Sequence, residues 1–290
     1  MKDFGLQQGF FKVFYISCQK HFQSLDTHDI LVTTPKAGTT WLKAWTFALL
    51  NRDKYPNIVD HPLLTSNPHS LVPFLEYDLY YDKDFVPDLN SLSPPPKLFS
   101  THIPYDSLPK SVKESTCKVV YLCRDPKDTF VSHWHFTNNL RAQSRGTLPL
   151  EEAFESFCKG VSSFGPFWEH VLGYWKKSLE RPEKIMFLKY EEMKLKPGFY
   201  LREIAKFLEC PFSKEEESNG VVDDILNLCS FEKLSNLEVN KTGKVSFHME
   251  NKYFFRLGQV GDSKNLLTTE MIEQLNAITE TKLATHGLSF

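Results

Sequence analysis

The sequence predicts an α/β fold: a single domain with a central, mostly parallel sheet flanked by helices and a phosphate-binding loop at one strand end. Three observations lead there. Short runs of almost wholly apolar, β-branched character alternate with helical patterns, as strands buried on both faces require. The chemically suggestive residues fall just after those runs, where parallel sheets bind ligands. Finally, no Gly/Ser-rich linker, long charge run or repeat divides the chain, so one domain is expected over residues 1–290.

The first strand is Asp29-Ile30-Leu31-Val32-Thr33-Thr34, stopped by Pro35, and the apolar stretch Thr39 to Leu50 after it predicts a buried helix. A second strand, Lys118 to Arg124, runs into Asp125-Pro126, a helix cap followed by proline at the first helical position. A third strand is expected over Lys184 to Tyr190, with a helix from Pro197 to Leu208. Ser91 to Lys97 contains three consecutive prolines and reads as a loop. Asn240 to Tyr253 shows no clear period, and its polarity leaves a flap over a pocket and a plain surface loop both open.

Composition narrows the function. With 290 residues, 41% hydrophobic and 14% aromatic, the chain can bury one sizeable core. Its net charge of −2 argues against a surface that grips a long polyanion, and no nucleic-acid partner is expected. The first ten residues have no basic start, apolar stretch or small-residue cleavage site, and no segment has the roughly 20 apolar residues of a membrane span. Cysteines 18, 117, 123, 158, 210 and 229 form no CxxC pair and have no histidine at metal spacing. Reduced thiols, a cytoplasmic location, no membrane association and no metal are therefore expected.

The most informative string is Thr34-Pro35-Lys36-Ala37-Gly38-Thr39-Thr40-Trp41. A small-residue turn between a strand and a helix points successive N–H groups into one concavity, and the helix start adds partial positive charge. Thr39 and Thr40 can cap the helix and offer hydroxyls, and Lys36 can stand over a developing negative charge. On composition alone an ordinary strand-turn-helix with a solvated lysine stays open. The nucleotide-triphosphatase spelling, Gly-x-x-x-x-Gly-Lys-Ser/Thr, does not occur: Lys36 precedes Gly38.

Pro35-Lys36-Ala37-Gly38-Thr39-Thr40-Trp41 resembles the 5′-phosphosulfate loop of the cytosolic sulfotransferases, and its long form from Leu31 to Lys43 is similar to the plant members. Tyr121-Leu122-Cys123-Arg124-Asp125-Pro126 with Ser132 is similar to the family's second motif. The resemblance implies that Arg124 and Ser132 grip a 3′-phosphate, a role that suits a guanidinium's planar donor fork. Near the carboxyl end, Arg256-Leu257-Gly258-Gln259-Val260-Gly261-Asp262-Ser263-Lys264 keeps the frame of the third motif, with Leu257 in place of lysine and Ser263 in place of tryptophan. Tyr190 and Cys229-Ser230-Phe231 match strings that lie against the nucleotide in the family. The matches keep family order from about Gly9 to the end. They imply a sulfotransferase that moves the sulfuryl group of 3′-phosphoadenosine-5′-phosphosulfate (PAPS) to a hydroxyl, releasing 3′-phosphoadenosine-5′-phosphate (PAP).

Removing a hydroxyl proton suits histidine, whose ordinary pKa of about 6.5 lies near working pH. Thr101-His102-Ile103-Pro104 is similar to the family's base-bearing string, which makes His102 the expected base. Animal members usually carry a lysine two residues earlier. Here Ser100 stands there, leaving Lys36 as the main cation for the bridging oxygen. Candidates for the acceptor pocket are Phe10, Phe11, Phe74, Tyr77, Tyr105 and Phe136, of which Phe74 and Phe136 match family pocket positions; each is equally readable as core. An apolar pocket above His102 suggests a flat phenol, flavonoid, steroid or similar small-molecule acceptor.

Two further readings stand beside the active transferase: a PAPS- or PAP-binding relative impaired by Leu257 and Ser263, and a phosphotransferase of the nucleotide-kinase type. Leu257 keeps a backbone N–H and loses an ammonium, so its effect depends on which of the two the donor uses. Lys264 to Glu273 resembles the family's short dimerisation motif with Thr269 for valine, and a homodimer through 264–273 is the corresponding expectation.

Overall fold

The structure, a computed structural model, describes residues 29–79, 98–141, 145–246 and 249–290. Four parallel strands form the central sheet in the order β2-β1-β3-β4: β1 Asp29–Thr33, β2 Leu98–Thr101, β3 Val119–Cys123 and β4 Ile185–Lys189. Register aligns Val32 with both Thr101 and Tyr121, and Cys123 with Lys189, so the carboxyl ends of all four strands lie along one edge. From β1 the chain goes to one neighbour, β2, and then crosses to the other, β3. Such a reversal opens a crevice at the strand ends.

Alternation along the strands explains why helices cover both faces. Ile30, Val32, Phe99, Tyr121 and Ile185 point to one side and Leu31, Leu98, Val120, Leu122 and Leu188 to the other. On the second side pack α1, Thr39–Leu50, through Leu42, Trp45 and Leu49, and the later helices Pro197–Phe207 and Val221–Leu228. The first side is covered by α2, Pro126–Leu140, by α3, Phe167–Glu180, and by the last long helix, Thr269–Leu283. Strands buried this way have no polar face to show water, which is the origin of their near-continuous apolar spelling.

The expected strands stand with ends trimmed: β1 stops at Thr33, β3 at Cys123, and Tyr190 already opens the short helix Tyr190–Leu195. The sheet gains β2, which the sequence did not announce as a strand because only four residues, Leu-Phe-Ser-Thr, carry it. The polar stretch from Asn240 also proves ordered where it is described. It holds the end of a helical turn, Glu238–Thr242, the paired strands Lys244–Ser246 and Met249–Glu250, and a 3₁₀ turn, Asn251–Phe254. Two of its polar residues are buried asparagines: Asn240 Nδ2 donates to Leu234 O at 2.8 Å, and Asn251 Nδ2 donates to Val239 O at 2.8 Å, while Lys241, Thr242, Lys244 and Lys252 face solvent. Loop 91–97 lies outside the described residues. Cysteines 117, 123, 158, 210 and 229 are free thiols.

Asp125 caps α2 as its spelling implied, its Oδ1 accepting from Lys127 N–H at 2.8 Å with Pro126 at the first position. The caps expected of Thr39 and Thr40 do not form. Gly38 is the N-cap of α1 and no side chain satisfies its first turn. The segment 264–273 comprises a 3₁₀ turn and a helix start whose cap is Thr268, with Lys264, Asn265, Thr269, Glu270 and Glu273 exposed. Replacing Asp125 by alanine should cost about 1 kcal/mol, read as a lower denaturation midpoint at unchanged slope.

Candidate active site

The turn between β1 and α1 is wound by two left-handed residues, Lys36 at φ 68° and Gly38 at φ 112°. A Cβ on Gly38 would lie 2.8 Å from Tyr190 Cδ2 and 3.0 Å from Leu122 Cδ2, so glycine is demanded by both torsion and space. Lys36, with a side chain, accepts the strain that tight functional loops commonly hold. Ala37 spends its N–H inside the turn, on Thr34 O at 3.2 Å, and its side chain is buried away from the cavity. The N–H groups at the start of α1 have no intrahelical acceptor, so the open end of a 12-residue helix faces the cavity.

Lys36 Nζ donates to Tyr253 O at 3.2 Å and lies 4.2 Å over the Phe136 ring. Burial first, and then the nearby charges of Arg256 and Arg124, lower its ammonium to about 7. Arg124, at the end of β3, is buried across the Tyr190 ring, its guanidinium 4.8 Å from the centroid. Its Nη2 donates to Gln259 O at 2.6 Å and to Asp128 Oδ2 at 3.2 Å, while Nε has no partner. Arg256 pairs through Nη2 with Asp262, and its Nε too is buried without a partner. Three cations thus converge with two guanidinium N–H groups unmatched by protein. That donor set fits an oxyanion of high charge.

Between these groups runs the loop 256–263. Asp128 fastens it to α2, accepting from Gly261 N–H at 2.7 Å and Ser263 N–H at 2.9 Å. Gly258, at φ 62°, approaches Phe231 so closely that a Cβ would stand 2.5 Å from the ring. Its carbonyl accepts from Tyr190 OH at 3.1 Å. Trp41, Tyr190, Cys229, Phe231, Leu257 and Gly258 line one end of a cavity of about 1260 Å³.

At the other end stands His102, just beyond β2. Its Nδ1 lies 2.8 Å from Thr33 O. A carbonyl only accepts, so Nδ1 carries the proton and Nε2 keeps its lone pair. Desolvation lowers the imidazole to about 3 against the opposing Thr33 bond, so the ring is neutral at working pH. The His102 backbone is held on both sides: its N–H donates to Glu76 Oε1 at 2.6 Å, and its carbonyl faces His170 Nε2 at 2.9 Å. Phe74 and Phe164 flank the ring at centroid distances of 4.8 and 5.2 Å.

The sulfotransferase domain family matches residues 26–287. The chain belongs to the sulfotransferase family. Cytosolic sulfotransferase 15 of Arabidopsis thaliana is 51% identical over 278 residues, 95% of this chain and 77% of that protein. The crystal structure of an Arabidopsis thaliana putative steroid sulphotransferase superposes with a TM-score of 0.72 at 43% identity, covering 95% of this chain and 83% of that one. Mouse sulfotransferase SULT7A1, complexed with PAP, superposes at 0.65 and 25% identity over 92% and 90% of the two chains.

In this sulfotransferase the expected site residues Lys36, Gly38, Thr39, Thr40, Trp41, His102, Arg124, Ser132, Tyr190, Cys229, Phe231, Arg256, Leu257 and Gly258 line a single cavity, as do Phe74, Tyr77 and Phe136. Tyr105 does not: it packs edge-on against Tyr174, between Lys113 and Lys177, away from the cavity. Ala37 is likewise a packing residue. Phe10 and Phe11 lie outside the described residues. Ser100, where animal relatives carry lysine, is buried with its hydroxyl on Pro73 O at 3.2 Å.

Sequence reading missed Glu76, His69, His133 and Thr33. The signal for Glu76 was a carboxylate embedded in Val72-Pro73-Phe74-Leu75, an apolar run that has no solvent face to offer it. Behind it Lys43, fully buried, donates to Val72 O at 2.8 Å and lies 3.3 Å over the Phe74 ring. Among the described residues no cluster of three or more metal-ligating side chains occurs.

Burial raises the Glu76 carboxyl to about 7, outweighing the His102 N–H, Thr101 and Lys43, which all lower it. A carboxyl whose folded value exceeds its unfolded one binds the proton more tightly when folded. Its contribution is therefore full below the ordinary range near 4.5 and is lost as pH climbs towards about 7. Glu76→Gln keeps an acceptor for His102 N–H and removes this dependence. The variant should gain stability relative to the parent between roughly pH 5 and pH 8 in paired denaturation curves; a pH-independent difference would show that Glu76 does not titrate there.

Proposed function

We propose that this sulfotransferase takes its sulfuryl group from PAPS and delivers it to a hydroxyl of a small organic acceptor, in-line, with His102 as base. The observation that carries the reading is the single cavity that holds a neutral histidine with a free Nε2 at one end and three converging cations at the other. At about 1260 Å³ it exceeds the usual span of one small-ligand site, which suits a donor and an acceptor bound together.

In this reading the open start of α1, with the Thr39 and Thr40 hydroxyls, holds the 5′-phosphosulfate. Arg124, Ser132 and Arg256 hold the 3′-phosphate. Trp41, Tyr190 and Phe231 supply flat surface for adenine, and Cys229 closes the space beside them. Phe74, Tyr77 and Phe136 frame the acceptor. His102 Nε2 takes the hydroxyl proton as the acceptor oxygen bonds to sulfur. Lys36 Nζ donates to the bridging oxygen as the bond from sulfur to the phosphate oxygen breaks. A sulfuryl group carries less charge than a phosphoryl group, so fixed donors suffice for this role. Leu257 keeps its backbone N–H and loses only the ammonium, and in this reading the donor uses the main chain there, which leaves the enzyme active. One domain, the cytosol as its place and a homodimer through 264–273 complete the reading. The last is tested by light scattering at micromolar concentration.

The deciding experiment incubates the protein with PAPS or ATP and a panel of phenols, flavonoids and steroids, with products identified by mass. Sulfated product from PAPS is expected; phosphorylated product from ATP alone would overturn the proposal. His102→Ala should lower turnover to a few per cent or less while PAP affinity stays nearly unchanged, because a base acts in the transition state.

Lys36 gives a pH signature. Its ammonium sits at about 7 without donor, and bound phosphate oxygens raise it by opposite charge. Binding therefore takes up a proton above neutrality. PAP affinity should be full below about pH 7 and fall by up to about tenfold per pH unit above it. Calorimetry in buffers of different ionisation enthalpy should show that uptake, and Lys36→Met should abolish it.

A further inference from the structure

The two hydroxyls at the start of α1 have different protein partners. Thr39 Oγ1 lies 2.6 Å from Thr33 Oγ1 and is tied to the end of β1. Thr40 Oγ1 lies 2.9 Å from Nε2 of His69, a residue of the short helical turn Pro68–Leu71 that lines the same cavity. The His69 ring is buried between Phe254, at a centroid distance of 4.0 Å, and Phe74, at 5.5 Å. Its backbone is fixed as well: its N–H donates to Asn67 Oδ1 at 2.9 Å, and Asn67 Nδ2 donates to Asn240 Oδ1 at 2.8 Å.

A third phenyl ring would fill the slot between Phe74 and Phe254 with no polar atoms to desolvate. Among the described residues Nδ1 of His69 has no partner, so the ring's one hydrogen bond is that to Thr40. The imidazole is therefore explained by what Nε2 does there. Burial first, then Lys43, Lys36 and His102, hold it well below its ordinary range, so the ring is neutral and carries one N–H. Thr40 has one O–H to give. If Nε2 kept its lone pair, it would take that hydrogen and leave only lone pairs of Oγ1 facing the phosphate loop. With the proton on Nε2, the ring donates to Oγ1 and the O–H stays available to an oxyanion, which can only accept.

We propose that His69 is a positioning residue for the nucleotide: its Nε2–H donates to Thr40 Oγ1 and thereby aims the Thr40 hydroxyl at the 5′-phosphosulfate. This rests on the sulfotransferase reading and adds to it the group that orients one of its contacts. Two neutral imidazoles then serve the site with opposite tautomers, His102 protonated on Nδ1 and His69 on Nε2, and Phe74 packs against both rings.

The test measures by calorimetry the affinity of the full chain for PAP and for adenosine 3′-phosphate, which lacks the 5′-phosphate. Thr40→Val, which deletes the hydroxyl, should weaken PAP about tenfold, as loss of a charge-assisted hydrogen bond implies. His69→Phe, which keeps the stacking, should weaken PAP at least about threefold and leave adenosine 3′-phosphate unchanged. In the Thr40→Val background the same change should have no further effect, because its target is gone. His69→Gln, whose amide donates from near the Nε2 position, should restore most of the affinity. His69→Asn, too short to reach Thr40, should not; this pair decides the matter even where the phenylalanine variant fails to fold. Additive losses in the cycle, equal losses for the two nucleotides, or a glutamine variant no better than asparagine would overturn the positioning role while leaving sulfuryl transfer in place. A parent that forms no sulfated product from PAPS with any phenol, flavonoid or steroid would overturn the transfer reading and this proposal together.

Discussion

The hydrogen bond from His102 Nδ1 to the carbonyl of Thr33, 2.8 Å long, joins everything the site needs. Thr33 ends the central strand, and parallel pairing in register brings the end of β2 alongside it, so the imidazole meets a backbone group whose place is set by the sheet. The same residue reaches the phosphate loop, since Thr33 Oγ1 contacts Thr39 Oγ1 at 2.6 Å at the first turn of α1. One residue at the end of one strand therefore sets the histidine's tautomer and ties it to the loop. The neighbours Glu76 and His170 hold the His102 backbone from the two remaining directions. An imidazole so restrained would lose little freedom in the proposed proton transfer, which is what positioning contributes to catalysis.

The opposite end of the cavity is held by a different logic. Arg124 and Arg256 each have one acidic partner, Asp128 and Asp262, and those carboxylates also organise backbone: Asp128 takes two N–H groups of the loop 256–263. The guanidiniums are thus oriented by their partners, and each retains a buried Nε without one. Among the described residues Lys36 has no acidic partner, and its lowered ammonium records burial first and then the two cations beside it. The first two are neutralised from behind and the third is not, a charge balance that suits the donor phosphates of the proposed reading.

Much of this was readable beforehand, for physical reasons that differ by element. β1, β3 and β4 are buried on both faces and so must be apolar throughout; that spelling is hard to mistake. Gly38 and the Asp125-Pro126 pair answer local torsional demands, and local demands leave local signatures. β2 was missed because four residues at a sheet edge carry no period, and Asn240 to Tyr253 stayed open between flap and surface loop because buried asparagines and exposed lysines mix in it without a period. The site divides in the same way. Lys36, Arg124 and His102 sit in strings that recur with their chemistry. His69 and His133 reach the cavity, and Glu76 reaches the His102 N–H, only through the packing of separate elements, and no spacing announces that. Tyr105, one of the aromatic candidates, lies apart from the cavity lining because the turn at Tyr105–Ser107 sends its ring toward Tyr174.

The departure at Leu257 can be weighed by how its loop is built. Gly258 is required there by its torsion and by the Phe231 ring, its carbonyl is held by Tyr190, and Gly261 and Ser263 are fastened by Asp128. None of these contacts involves the side chain at 257, which is 40% exposed. Ser263 differs: it is buried, and both its backbone N–H and its side chain bond to Asp128, so serine is built into the loop where the resemblance has tryptophan. A loop shaped by glycine torsions and main-chain bonds keeps its form when exposed side chains change, so losing the ammonium at 257 removes a charge at the rim and leaves the Arg256 and Gly258 frame intact. Donor recognition concentrated in buried guanidiniums and backbone groups is consistent with that substitution; recognition spread over exposed lysines would not be.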